Sequence, residues 1–191
     1  MIQKSSILST AQVFPDWVFT GDLPIASGVP ELLMADLETF KKNNTVYGYE
    51  TVKNKLSQNY FSLSKLMGTE FYDKAVSHFR LPPELRNVES VDSKITCVKP
   101  GHTVPLCVNR HRWYQGAIFL SDNIKGSDIY LELLDSKLYA TPPGVQEYTH
   151  TITGKQFKMA FWPAHLPWGF TANQSNSNTY VYTTSFIIKR D

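Results

Sequence analysis

The chain has 191 residues, of which 42% are hydrophobic and 19% charged, with 19 Lys+Arg against 17 Asp+Glu and a formal net charge of +2. That is room for one good core and too little for two ordinary domains. The balance of charge excludes holding a phosphate backbone by bulk electrostatics, so no nucleic-acid partner is expected. Ten Tyr, 11 Phe and 4 Trp exclude a disordered chain.

No apolar run reaches the ~20 residues of a membrane span, and MIQKSSILSTAQVF lacks the continuous apolar core of a signal peptide, so no membrane partner is expected. Cys97 and Cys107 lie in alternating apolar sequence without a CxxC, which points to reduced thiols and a cytoplasmic setting.

Residues 1–28 are rich in β-formers broken by Pro15 and Pro24, which predicts an extended segment lying along a surface, its own or a neighbour's. Residues 29–191 are expected to form a single domain, helical over 29–85 and β over 91–190. Ser27-Gly28-Val29-Pro30 reads as a helix start with Glu31 in the first turn. Leu33, Leu37 and Phe40 follow at helical spacing, and Lys41-Lys42-Asn43-Asn44 close the helix. A second helix is predicted from Ser62 or Ser64 to about Phe79, where Leu63, Leu66, Met67, Phe71, Ala75 and Phe79 share one face before Pro82-Pro83 stops it.

Beyond Pro83 the pattern turns to short alternating segments. Strands are expected near Asp92–Lys99, Arg112–Leu120, Asp128–Leu134, Gln146–Thr153, Phe157–Trp162, His165–Thr171 and Thr179–Lys189. Turns fall at Pro100-Gly101, Asn123–Ser127, Pro142-Pro143-Gly144, Thr153-Gly154 and Asn173–Asn178. Strands at this spacing indicate a sandwich or barrel, with the helices covering one outer face. The class is mainly β.

Few residues carry an obvious chemistry. Of five histidines, His78 falls on the second helix and His150 on a half-exposed strand, and neither position asks for more than a surface imidazole. His102, His111 and His165 remain, but no His-x-His, His-x-Asp or His-x-Glu puts two metal ligands on one element. A phosphate loop and a nucleophile elbow are both lacking. Asp122, Asp128, Glu132 and Asp135 straddle a turn and read as a solvated face. Arg110-His111-Arg112 beside Trp113-Tyr114 is too small a cluster for an anion-binding surface and reads as a strand end at a rim.

Taken together, residues 91–190 resemble the double-stranded β-helix (jelly roll) of the 2-oxoglutarate and iron(II)-dependent oxygenases, above all the short forms carried by tailed phages. Lys99-Pro100-Gly101 is similar to the opening of the strand that bears the first metal ligands, and Gln115–Asp122 to the family's Tyr-Leu-Asn-Asp strand. Phe157–His165 is similar to the approach to the distal histidine, and Tyr180–Ile188 to the closing strand. The helical region 51–81 also resembles the family's N-terminal helices.

The resemblance places the His-x-Asp motif on Cys107-Val108-Asn109 and the distal histidine on His165. Asn109 is a neutral and poor replacement for a carboxylate, and between His165 and Lys189 no Lys or Arg stands where the cosubstrate's carboxylate would be met. These departures predict a non-catalytic structural or interaction protein with no catalytic residue, no metal and no cofactor. Its partners would be other protein subunits in a larger assembly, such as a neck, tail or capsid-associated component of a tailed phage. It would be made in the host cytoplasm and end in the virion. Trp113, Tyr114, Trp168 and Phe170 are the candidate interface residues. One alternative is an active hydroxylase using iron(II) and 2-oxoglutarate, with His102 or His111, Asp122 and His165 as displaced ligands. Another is a small-ligand or glycan binder stacking its ligand on Trp113 and Trp168.

Overall fold

A computed structural model describes residues 9–13, 16–23, 29–43, 49–52, 88–121, 128–134 and 149–188. The expected second helix, Asp122 and His78 lie outside these residues. Among them the chain folds into two antiparallel sheets. The strands are β1 (Ser9–Val13), β2 (Asp16–Asp22), β3 (Tyr49–Val52), β4 (Val88–Val98), β5 (Val104–Cys107), β6 (Tyr114–Phe119), β7 (Tyr130–Leu134), β8 (Thr149–Thr153), β9 (Lys158–Pro163), β10 (Trp168–Phe170) and β11 (Thr179–Ile188). One helix, α1 (Val29–Asn43), follows β2. The larger sheet runs β1-β2-β9-β6-β11-β4-β3 and the smaller β5-β10-β7-β8.

Alternation along each strand decides which layer a side chain joins. Ile95, Cys97, Ile118, Met159, Tyr182 and Phe186 leave the large sheet on one side and pack with Leu33 and Leu37 of α1. Val98, Ala117, Phe119, Trp162 and Val181 leave it on the other, where they meet Leu131, Leu133, Trp168 and Phe170 of the small sheet. The second cluster is the inside of the jelly roll. With both faces covered, β6 is buried at every residue, which is why it reads as the apolar run YQGAIF.

The helix forms as its sequence suggests. Glu31 sits in its first turn and Lys41 and Lys42 in its last, where they complement the helix dipole. Lys41 also pairs with Glu38 at 2.8 Å. The N-terminal stretch is strand rather than a free arm. β1 and β2 form a hairpin, and β2 extends the chain's own large sheet by pairing with β9. β3 was not expected at all; it caps the outer edge of β4.

The polar stretch after β10 is a turn held by one side chain. Asn173 is buried, its Nδ2 donating to the carbonyls of Val98 and Ser177, each at 2.8 Å. Its Oδ1 accepts from Ser175 Oγ at 2.7 Å. Strand β10 is shorter than the expected His165–Thr171 because Pro163 and Pro167 bracket a tight turn, closed by Leu166 N–H donating to Pro163 O at 3.1 Å.

Candidate functional site

The open end of the jelly roll is organised by the β5–β10 pairing. Val104 lies opposite Phe170 and Cys107 opposite Trp168, so β5 has an extra residue between those pairs. This bulge turns both Val104 and Cys107 toward the inside and sets Leu106 outward. Gly169 makes the close approach possible, since a Cβ there would stand 2.6 Å from Val104 O and 3.2 Å from Leu106 N.

Past β5 the chain bends back over the mouth. Asn109 N–H donates to Ala164 O at 3.4 Å, and Asn109 Nδ2 donates to Ser185 Oγ at 3.4 Å. Ser185 in turn accepts from Gln115 Nε2 at 2.8 Å inside the barrel. The Cys107 thiol is raised from its ordinary pKa by burial, with the opposing charge of Lys94 lowering it. Lys94 belongs to β4 of the opposite sheet, opposite Thr183 of β11.

Asn109 lies against the Ala164–His165 peptide through its N–H to Ala164 O, while Cys107 pairs in register with Trp168. His165 is exposed in the turn before β10, and the residue facing Cys107 in register is Trp168. The jelly roll's interior is therefore filled at that position by an indole, packed edge-on against Trp162 at 5.6 Å and Phe170 at 5.8 Å. Among the candidate interface residues only Trp113 has surface to offer, at 47% exposed, whereas Tyr114, Trp168 and Phe170 are 8%, 4% and 1% exposed. Those three are core, because both faces of β6 and β10 are covered. Tyr114 stacks on Phe161 at 5.0 Å.

The remaining histidines are scattered. His102 is exposed with Nδ1 at 3.0 Å from Pro100 O, and His111 is exposed in the turn before β6. His150 is half-buried on β8, and burial lowers its pKa. It shares a register row with Leu133, Trp168 and Cys107, but two strands lie between it and Cys107, three interstrand spacings or roughly 14 Å.

Lys94 is the residue that the sequence reading missed. Thr96 and Val98 face the inside, and alternation carries Lys94 to that same face. The signal is the alternation Asp92-x-Lys94-x-Thr96-x-Val98, which lies on the first strand of the jelly roll and not on the closing one.

Among the described residues no three His, Cys, Asp or Glu side chains come together as a metal site. At the mouth stand a thiol biased toward its neutral form, a neutral amide and an indole, none of which is a strong ligand for a hard divalent ion. The described residues do not fit the family's iron site.

No family model and no curated protein matches the sequence. Solved structures do match the fold. A prolyl-4-hydroxylase from Pseudomonas putida superposes with a TM-score of 0.62 at 12% identity, over 93% of this chain and 96% of that one. HygX from Streptomyces hygroscopicus, solved with nickel and 2-oxoglutarate bound, gives 0.61 at 9% identity over 90% and 83%. An oxidoreductase of the 2OG-Fe(II) oxygenase family from Burkholderia pseudomallei gives 0.54 at 7% identity over 82% and 78%. The resemblance and the jelly-roll class expected from the sequence hold. The expectation of no cofactor is corrected, because proteins that share this scaffold include HygX with 2-oxoglutarate bound and a member of the 2OG-Fe(II) oxygenase family. No helix among the described residues is long and apolar enough to cross a membrane.

Proposed function

We propose that the chain acts as a non-catalytic interaction protein on an oxygenase-type jelly roll, binding another protein subunit at the rim of the barrel mouth. One observation carries this reading. The exposed large hydrophobic residues among those described are Leu106, Val108 and Trp113, at 46%, 40% and 47% exposed, and all fall within one short stretch at that rim. Scattered apolar surface residues need no explanation, but their concentration beside a site does. Trp is also enriched among the residues that anchor protein contacts.

The chemistry of the mouth supports the same reading, since Cys107, paired in register with Trp168, and Asn109, bonded to Ser185, are weak ligands for a hard divalent ion. Arg110 and His111 flank the apolar residues and are exposed, so the fitting partner surface is apolar with carboxylates around it. The larger assembly proposed is a tailed-phage particle, in keeping with the texture shared with short phage-carried forms.

The test is a photo-crosslinking amino acid at Trp113, with Lys155, exposed and remote from the rim, as the control position. A discrete protein adduct at 113 and not at 155, recovered with assembled particles, is expected. Identical adducts at both positions, or none, would overturn the reading. So would release of succinate from 2-oxoglutarate by the iron(II)-supplied protein above a heat-inactivated control.

A further inference from the structure

Outside the jelly roll, where α1 lies on the outer face of the large sheet, a cavity of about 370 Å³ opens between helix and strands, large enough for a small molecule. Its floor is apolar, made by Met34 and Leu37 of α1 and by Leu120, which follows β6. Trp113 and the rim come just before β6, so roughly 20 Å of strand separates this cavity from the proposed protein contact. The same holds along β11, where Tyr180 lines the cavity and Ser185, near the other end, stands at the mouth.

The walls above that floor are polar and pinned. On α1, Lys41 Nζ donates to Glu38 Oε1 at 2.8 Å and stands 5.4 Å from the centre of the Tyr180 ring. The hydrogen bond from Lys41 holds the Glu38 carboxyl below its ordinary pKa, so this wall carries one charge of each sign. On the sheet side, Ser121 is 4% exposed, and its Oγ accepts from Tyr180 N–H at 2.7 Å, which leaves its own O–H to donate. Ser177 is fixed through its carbonyl, which accepts from Asn173 Nδ2 at 2.8 Å and Ser175 Oγ at 2.7 Å. Beside it, Asn178 Nδ2 donates to the Tyr180 hydroxyl at 3.4 Å, and its amide oxygen remains an acceptor.

We propose that this cavity binds a neutral sugar ring, with adjacent hydroxyls on Glu38 and Lys41, further hydroxyls on Ser121 and Asn178, and the C–H face of the ring on Leu37 and Leu120. The charges select against simpler ligands. An anion drawn to Lys41 meets the Glu38 carboxylate 2.8 Å away, and a cation drawn to Glu38 meets Lys41. A wholly apolar ligand would strip water from both walls without replacing its hydrogen bonds. A zwitterion such as glycine engages the two charges but leaves the amide and hydroxyl wall unanswered. A hydroxyl both donates and accepts, so a ring of hydroxyls answers a wall of mixed donors and acceptors. Neighbouring hydroxyls on such a ring are also spaced much as Glu38 Oε1 and Lys41 Nζ are, so both can be engaged without parting the ion pair.

The experiment is amide-resolved NMR titration of the full chain with D-glucose, D-galactose, D-mannose and N-acetyl-D-glucosamine, and with glycine and inorganic phosphate as the charged comparisons. At least one sugar should saturate in the millimolar range, moving the amides of Glu38, Lys41, Ser121 and Asn178 and leaving Trp113 in place. Glu38→Gln should weaken that sugar by about tenfold, the loss of one charge-assisted hydrogen bond. Asn178→Ala should weaken it by about threefold to tenfold. Lys155→Met, at an exposed site elsewhere, should leave it unchanged. Circular dichroism and urea midpoints establish that each variant is folded. The proposal is overturned if none of the four sugars gives saturable shifts at the cavity, if glycine or phosphate binds there as tightly, if the shifts centre on Trp113, or if a folded Glu38→Gln binds as wild type does. None of these outcomes bears on the protein contact at the rim, which has its own crosslinking readout.

Discussion

Trp168 is where the placement of the mouth has its largest energetic consequence. The indole is 4% exposed and packs edge-on against Trp162 and Phe170. Truncating a buried Trp to Ala costs about 3–5 kcal/mol, from lost transfer energy and the cavity left behind. Against that, Trp168 Nε1 is buried without a partner, and removing it returns roughly 1 kcal/mol or more. The net expectation for Trp168→Ala is a loss of about 3 kcal/mol, or about 6–12 °C in Tm for a domain of this size. Trp168→Phe keeps most of the ring and deletes the unpartnered N–H, so it should cost about 1 kcal/mol or less. Urea unfolding followed by far-UV circular dichroism measures both without relying on tryptophan emission. A Trp168→Ala protein within about 0.5 kcal/mol of wild type would refute the argument, since only a surface residue is that indifferent.

Three further outcomes follow from the same geometry. Gly169→Ala would push a Cβ into Val104 O and Leu106 N, so β5 and β10 must separate at a cost of about 1–3 kcal/mol, read as a lower urea midpoint; an unchanged midpoint would contradict the close approach. Cys107 is exposed at the mouth yet its thiol is held above the ordinary pKa by burial, so its alkylation rate should rise with pH through a midpoint higher than that of a free cysteine. Cys97, fully buried, should react only on unfolding, and early modification of Cys97 would contradict the core assignment. His150 has its pKa depressed by burial, so the unfolded chain binds its proton first as pH falls. The sign is therefore a loss of stability from about pH 6.5 downward, complete below the depressed folded value, and His150→Gln should flatten that slope in urea midpoints. An equal slope in the variant would remove His150 from the pH response.

Much of this fold was legible because its strands carry a strong local rhythm. Thr179–Ile188 and Tyr114–Phe119 lie within the expected strands, and α1 begins and ends within a residue of its predicted bounds. What could not be read locally was pairing. Nothing in Tyr49–Val52 announces that it caps β4, and nothing in Asp16–Asp22 names β9 as its partner, because both depend on strands distant in sequence. The same limit governs the mouth. Phe157–His165 has the texture of an approach to a distal ligand, and in the structure His165 is exposed within the turn closed by Leu166 N–H on Pro163 O. Trp168 takes the facing position instead. Composition likewise cannot tell a rim aromatic from a core one, so Trp113 was grouped with Tyr114, Trp168 and Phe170, whose surroundings differ entirely. Lys94 was within reach, since alternation alone carries it inward from Val98, but it stands on the first strand of the jelly roll and not the last.

The register of β5 and β10 sets Trp168, and not His165, across from Cys107. Its most direct test is visible-absorption titration with cobalt(II) of chains that restore the family's ligands. Cys107→His with Asn109→Asp should bind cobalt weakly, and adding Trp168→His should tighten binding by about a hundredfold through a third ligand, its second imidazole. In that triple variant His165→Ala should change nothing. Tight binding by the double variant that is abolished by His165→Ala would contradict the register and return His165 to the mouth.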